Sequence, residues 1–280
     1  MRSAARARGL YWLCHYAALA LFVAFALFPL FWLLKVSITP NDLLYSEGVR
    51  LWPSHATIAH YVSVIQHTQF PLYFRNSVIV SATTALLSTL IAAAAGYGFS
   101  RFRFRGKLWI LGVMLVTQMF PLVMIVAPIF RLLAPLGLTN SLSGLVLVYT
   151  AFNVPFASFL MQSLFDGIHK ELEEAAMIDG ATRFQALRRI ILPLTLPGLA
   201  ATAGFVFTGA WSELLFALML NSSSQVSTFP VGLLSFVSKF SVDFGQMMAA
   251  GVLALIPVCA FFLLIQRHLV QGLTAGAVKG

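Results

Sequence analysis

Charged residues punctuate the chain at wide intervals, and the stretches between them are apolar and of membrane-spanning length. A helix rises about 1.5 Å per residue, so crossing roughly 30 Å of hydrocarbon takes about 20 mostly apolar residues. Runs free of Asp, Glu, Lys and Arg cover Gly9–Leu34, Asn76–Ser100, Leu108–Phe130, Leu132–Phe165, Ile190–Ser212 and Phe244–Gln266. The fourth is too long for one helix and opens with the loop-like Ala134-Pro135-Leu136-Gly137-Leu138-Thr139-Asn140, so its helix is expected from Ser141. The fifth is expected to slide past Pro193 and Pro197 to Leu220, enclosing Glu213. The pattern predicts an all-α membrane protein with six transmembrane helices, at about residues 12–36, 76–99, 108–130, 141–164, 197–220 and 245–266.

Composition excludes the soluble alternative. Of 280 residues, 59% are apolar and 10% charged, against about 25% charged in a soluble domain, and one chain of this size cannot bury so much in water. The net charge of +9 lies between apolar runs and covers no folded face, which fits topology and not nucleic acid. With the N-terminus in the cytoplasm, that side collects thirteen basic residues: Arg2, Arg6, Arg8, Arg101, Arg103, Arg105, Lys107, Lys170, Arg183, Arg188, Arg189, Arg267 and Lys279. The other side holds five: Lys35, Arg50, Arg75, Arg131 and Lys239. This predicts a cytoplasmic N-terminus at 1–8, a single transmembrane domain over 9–280, a cytoplasmic loop at 166–195, and a cytoplasmic tail at 267–280. Gly9–Leu34 exceeds a signal h-region and lacks a cleavage region, so it reads as a first spanning helix. Cys14 and Cys259 sit inside apolar runs and read as buried small hydrophobes. The stretch 38–71, with Pro40, Pro53, Pro71, Trp52, Tyr61 and Phe70, suits a folded interfacial loop. His55, His60 and His67 within it share no helical or strand face, so no metal site is expected.

The one long charged stretch, Asp166–Arg189, begins with acidic helix formers at Glu171-Leu172-Glu173-Glu174-Ala175-Ala176-Met177-Ile178-Asp179. Gly180 interrupts it, and Phe184, Leu187, Ile191 and Leu194 then recur with helical spacing. Two short helices joined at a glycine are expected, the second ended by Pro193 and Pro197. Small Ala175 and Ala176 permit close approach by a partner, and Gly180 permits a tight bend. A surface-lying amphipathic helix would favour a basic polar face, which four acidic residues argue against. No G-x-x-x-x-G-K-[ST] phosphate loop occurs, since Gly106-Lys107 lacks the earlier glycine and the following hydroxyl. The chain is not expected to be an enzyme or to hold a cofactor.

Glu174-Ala175-Ala176, Gly180 and Ile190-Ile191-Leu192-Pro193, with Asp179-Gly180-Ala181 between them, resemble the EAA motif of carbohydrate ABC importer permeases of the maltose type. Arg101-Phe102-Arg103-Phe104-Arg105-Gly106-Lys107, Ala210-Trp211-Ser212-Glu213 and the tail Gly272–Gly280 extend the resemblance over nearly the whole chain, to the shorter of the two permease subunits. It implies the type I permease fold and a multi-pass place in the bacterial inner membrane. The implied partners are a second permease, two ATP-binding subunits to which ATP and Mg belong, a periplasmic or lipid-anchored sugar-binding protein, a sugar, and membrane lipid. It assigns ATPase docking to Glu174, Ala175, Ala176, Asp179, Gly180, Ala181, Ile190, Leu192 and Pro193. It assigns contact with the binding protein to Asn221, Ser222, Ser223, Ser224 and Gln225, a run read as mobile before a rigid Thr228-Phe229-Pro230. The tail, with Gly276 and Lys279, is expected to extend between the ATPase subunits. The alternative substrate is another small solute such as glycerol phosphate, met by Arg75 or Arg131.

Four polar residues at membrane depth are candidates for the translocation path: Gln118, Tyr149, Asn153 and Glu213. An acid inside a helix costs roughly 2.5 to 3.5 kcal/mol on the insertion scale, so Glu213 either lines a cavity or bonds a partner. Neutral polar groups in such helices also serve as interhelical bonds. Ala92, Ala93, Ala94 and Ala95 with Gly96 and Gly98 read as a close-packing surface. A membrane enzyme would need paired titratable groups at depth, and an ion-coupled carrier would show inverted repeats; neither pattern is present in the sequence.

Overall fold

The computed structural model describes residues 2–238 and 241–277, with side chains for 11–238 and 241–266. Helix α1 (Arg2–Ser37) includes a predominantly apolar stretch of 27 residues from Tyr11 to Ser37. Its end is set by hydroxyls that take over carbonyls: Ser37 Oγ donates to the Leu34 oxygen and Thr39 Oγ1 to the Lys35 oxygen, both at 2.7 Å. Pro40 follows and cannot extend the helix. The next segment folds into α2 (Asn41–Ser46) and α3 (Ala59–Gln66). Buried His60 fastens it, with Nε2 2.9 Å from the Thr39 carbonyl. The start of α13 (Phe244–Ala277) joins this unit through Asn41 donating to Asp243 at 3.2 Å and Ser63 donating to Gln246 at 3.2 Å. Met1–Thr68 with Ser235–Ala254 form one compact unit, and Gln69–Leu234 with Leu255–Gly280 form the other.

The second unit is built on α4 (Phe70–Arg101) and α7 (Leu142–Asp166). Ser77, Ser81, Thr84, Ser88, Ala92 and Gly96 recur every three or four residues on α4 and are all buried, so the two backbones approach closely. At Gly96 the fit is absolute: a β-carbon there would stand 2.6 Å from Met161 Cβ and 2.7 Å from the Gln162 nitrogen. The small-residue surface expected from the sequence is therefore used at Gly96, while Gly98 has open space beside it. Ser141 caps α7 by accepting from the Gly144 amide at 3.0 Å.

Among the described residues, five helices are long and apolar enough to cross a bilayer, and one bent pair, counted as one span, makes the sixth. That pair corrects the expected unbroken helix at 108–130. It is α5 (Lys107–Met119) and α6 (Leu122–Leu133), turned by 104° at Phe120-Pro121, because proline lacks the amide that would continue α5. The expected helix at 197–220 is likewise two pieces, α10 (Leu192–Trp211) and α11 (Leu215–Leu220), separated around Glu213. The last helix passes Gln266 and stays helical to Ala277. The tail is thus not extended through Gly276; each glycine costs about 1 kcal/mol in a helix, too little to end one flanked by Leu273, Ala275 and Ala277. Lys279 lies outside the described residues. Cys14 and Cys259 are exposed on the chain and not buried in it. Apart from one antiparallel bridge between Val237 and Val242, the described residues form no strand.

Candidate functional site

The charged stretch after α7 folds as a two-helix knob. Helix α8 (Lys170–Ile178) carries Glu171 and Glu173 in its first turn, where carboxylates favour the positive end of the helix dipole. It ends in a Schellman turn, with the Ala181 amide donating to the Ala176 carbonyl at 3.0 Å and the Gly180 amide to that of Met177 at 3.1 Å. Gly180 adopts φ +88°, the left-handed region, and a β-carbon there would meet nothing within 4 Å. Glycine is required by the backbone conformation and not by crowding within this chain. Helix α9 (Arg183–Ala186) then starts from a capping box: the Gln185 amide donates to Thr182 Oγ1 at 3.3 Å, and the Thr182 amide to Gln185 Oε1 at 2.8 Å.

Pro193 and Pro197 do not end the second helix, contrary to expectation. A π-helical turn over Leu187–Ile191 connects α9 to α10, and the Leu192 amide reaches back five residues to the Leu187 carbonyl. The π turn ends just before Pro193, which sits in the first turn of α10 where a missing donor costs least, and the chain stays helical past Pro197 from Arg183 to Trp211. The π turn also breaks the simple apolar face. Ile191 is fully buried, whereas Phe184 is 70% exposed and Leu194 points out as well. The motif residues divide accordingly: Glu174, Ala175, Asp179, Gly180 and Pro193 are exposed, Ala181, Ile190 and Leu192 are half-buried, and Ala176 is buried. With Ile178 86% exposed, the knob presents an acidic and apolar outer surface built on small residues.

The buried acid of the knob is Glu173, which the sequence reading used only as one charge among four. Its Oε2 pairs with Arg101 Nε at 3.0 Å, both side chains being about 5% exposed or less, and the Tyr97 hydroxyl donates to its other oxygen. Arg101 also donates to the Ile168 carbonyl and to Ser100 Oγ, each at 3.0 Å, and Ser100 donates to Asp166 at 2.6 Å. A buried charge must be matched by another, so an acid on the inner face of an amphipathic helix is the signal that points to such a pair.

At membrane depth, the four polar candidates fall along α5, α7 and the break before α11. Tyr149 Oη donates to Glu213 Oε2 at 2.5 Å, and the Glu213 carboxylate also accepts from the Phe216 and Ala217 amides at 2.9 and 3.2 Å. It therefore caps α11 and finds its hydrogen-bond donors within the chain. Asn153 donates to the Tyr149 carbonyl at 2.8 Å, and Gln118 to the Phe152 carbonyl at 3.2 Å. The structure brings Tyr149, Asn153 and Glu213 together, with Gln118 exposed beside them on α5.

The polar run Asn221–Gln225 is fixed from several directions. Asn140, a non-glycine at φ +53°, accepts the Ser222 and Ser223 amides at 3.1 and 2.9 Å. Asn221 accepts the Ser141 amide at 3.1 Å and donates to the Val226 carbonyl at 2.8 Å. Buried Asn76 donates to the carbonyls of Gln225 and Ser227, both at 2.9 Å. Paired asparagines thus correct the expectation of a mobile run. Ser224, half-buried, starts the short helical turn that closes it, ahead of the short helix α12 (Phe229–Leu233).

Residues 86–275 match the family described as "Binding-protein-dependent transport system inner membrane component". The chain is 36% identical over 263 residues to the diacetylchitobiose uptake system permease protein DasC of Streptomyces coelicolor, covering 94% of this chain and 95% of that one. It is 37% identical over 257 residues to the trehalose/maltose transport system permease protein MalG of Thermococcus litoralis, covering 91% and 92%. A chain of a bacterial ABC transporter involved in the import of the acidic polysaccharide alginate superimposes with a TM-score of 0.77 at 22% identity, covering 92% of this chain and 96% of that one. The match over most of the length, on a fold with six spans and an EAA-type knob, leads to one conclusion: the chain belongs to the family of inner-membrane permeases of binding-protein-dependent ABC transport systems, whose role is transport and not enzymatic catalysis.

Proposed function

We propose that this permease imports a sugar, pairs with a second permease to enclose the path, and docks through its Glu174–Pro193 knob onto one of two cytoplasmic ATP-binding subunits. The observation that carries the reading is the knob itself. It is two rigid helices joined at a left-handed Gly180, with Glu174, Ala175, Ile178 and Phe184 turned outward. A rigid projection of this kind transmits a displacement as a rigid-body movement. Relatives named for trehalose, maltose and diacetylchitobiose support a sugar as the solute. The thirteen-to-five bias of basic residues supports cytoplasmic termini and a cytoplasmic knob. On this reading Gln118, Tyr149, Asn153 and Glu213 line this chain's half of the path, the ordered Asn221–Gln225 run faces the binding protein, and the end of α13 with Gly276 and Lys279 reaches the ATP-binding subunits. The test is the composition of a complex purified in mild detergent from cells that also express the ATP-binding subunit, second permease and binding protein. One copy of this chain with one other permease and two ATP-binding subunits is expected; an active homodimer lacking an ATPase would overturn the reading.

A further inference from the structure

We propose that Glu173, Arg101 and Tyr97 form a clasp that makes the knob and helix α4 one moving body. Two neighbouring acids on α8 have opposite surroundings. Glu174 is exposed, while Glu173 is 4% exposed and takes Arg101 at 3.0 Å and Tyr97 on its two oxygens. Arg101 and Tyr97 belong to α4, not to α7 or α10, which are the knob's covalent neighbours. The clasp therefore adds a third attachment where the chain path provides two.

Arg101 is the keystone of this joint. Its guanidinium holds the Glu173 carboxylate on α8, the Ile168 carbonyl in the turn between α7 and α8, and Ser100 Oγ, which in turn donates to Asp166 at the end of α7. A planar fork of fixed donors suits three simultaneous bonds in a way that an ammonium does not. Without Arg101, Glu173 keeps only the Tyr97 hydroxyl and the more distant Arg183, whose Nε lies 4.0 Å from the same oxygen, and without Glu173 the buried Arg101 loses its paired carboxylate, so the joint resists opening. Helix α4 in turn packs closely on α7 at Gly96, so movement delivered to α4 reaches the helix bearing Tyr149 and Asn153. Glu173 and Arg101 are positioning residues: Glu174 meets the partner, and the clasp carries the resulting displacement inward. The consequence for transport rests on the docking role proposed above, whereas the rigidity of the joint does not.

The test is a spin-label distance between Lys170→Cys on α8 and Leu90→Cys on α4, in the full chain with Cys14 and Cys259 changed to Ser. It is measured in the purified chain and in its complex with the ATP-binding subunits, with and without a non-hydrolysable ATP analogue. In the wild-type background the distribution should be narrow and should move by less than about 2 Å when nucleotide binds. Glu173→Gln and Arg101→Gln should broaden it in both preparations, Tyr97→Phe less so. The double variant should broaden it no further than either single change, as expected for residues acting as a pair. ATP-binding subunits should still co-purify with Glu173→Gln. A wild-type distance that shifts with nucleotide, or a Glu173→Gln distribution unchanged from wild type, would overturn the clasp. Loss of the ATP-binding subunits on Glu173→Gln would also overturn it, by making Glu173 a docking residue. If no ATP-binding subunit joins even the wild-type chain, the docking reading fails, and the comparison in the isolated chain still decides the clasp.

Discussion

Gly180 separates two explanations that a sequence motif leaves merged. Glycine is needed either because a partner comes close or because the backbone turns left-handed; φ +88° is by itself sufficient for the second, and the space open beside the missing β-carbon within this chain leaves the first to be tested by substitution. A side chain in that conformation costs about 1 to 2 kcal/mol, Asn tolerates it best, and β-branched residues tolerate it worst. Gly180→Asn is therefore expected to keep most ATP-driven uptake and Gly180→Val to lose it, with membrane insertion unchanged in both. Equal loss in both variants, measured in proteoliposomes, would restore the close-approach explanation. Glu213 poses a similar choice. Its carboxylate serves a hydroxyl and two amides, so Glu213→Leu orphans three donors, each hydrogen bond to a charged group being worth about 1.5 to 3 kcal/mol before allowance for partial exposure. Glu213→Gln retains acceptor oxygen and should lower the melting temperature in detergent much less than Glu213→Leu does. Equal melting temperatures for all three chains would remove the capping role.

At the scale of elements, hydropathy located the spans but not their breaks. Leu108–Phe130 reads as a single run because composition carries no direction, and only the missing amide of Pro121 turns α5 away from α6. Ala210–Leu220 is apolar enough to hide an interruption that exists to satisfy Glu213. The apolar face of the second knob helix was legible at Leu187 and Ile191 but not at Phe184 and Leu194, which are exposed, because a π turn over Leu187–Ile191 shifts the face and no residue type announces it. The knob and its glycine were legible because capping residues, acidic first turns and Gly all have local signatures. The clasp was not, since Arg101 and Glu173 lie 72 residues apart and pair only after α4 and α8 meet. The polar run after α11 was misjudged for the same reason: its order comes from Asn140 and Asn76, both distant in sequence. Removing the Asn140 side chain should free the Ser222 and Ser223 amides, so Asn140→Ala is expected to raise their hydrogen-exchange rates while those of α7 stay constant. Unchanged exchange at Ser222 and Ser223 would show that Asn76 and Asn221 suffice.

On the scale of the whole molecule, an outward-facing knob is joined to α4 and α7, which pack closely at Gly96. The proposed meeting of the knob with the ATP-binding subunit can be read directly by cross-linking. Ala175 and Ile178 are exposed on the knob and Ser222 on the polar run that the proposed topology places on the opposite side of the membrane. Each is replaced in turn by cysteine, with Cys14 and Cys259 changed to Ser, in the assembled complex treated with a short bifunctional thiol reagent. Ala175→Cys and Ile178→Cys should form adducts with the ATP-binding subunit that change in yield when ATP is added, and Ser222→Cys should form none. Adducts from Ser222→Cys to the ATP-binding subunit, with none from Ala175→Cys or Ile178→Cys, would contradict the account.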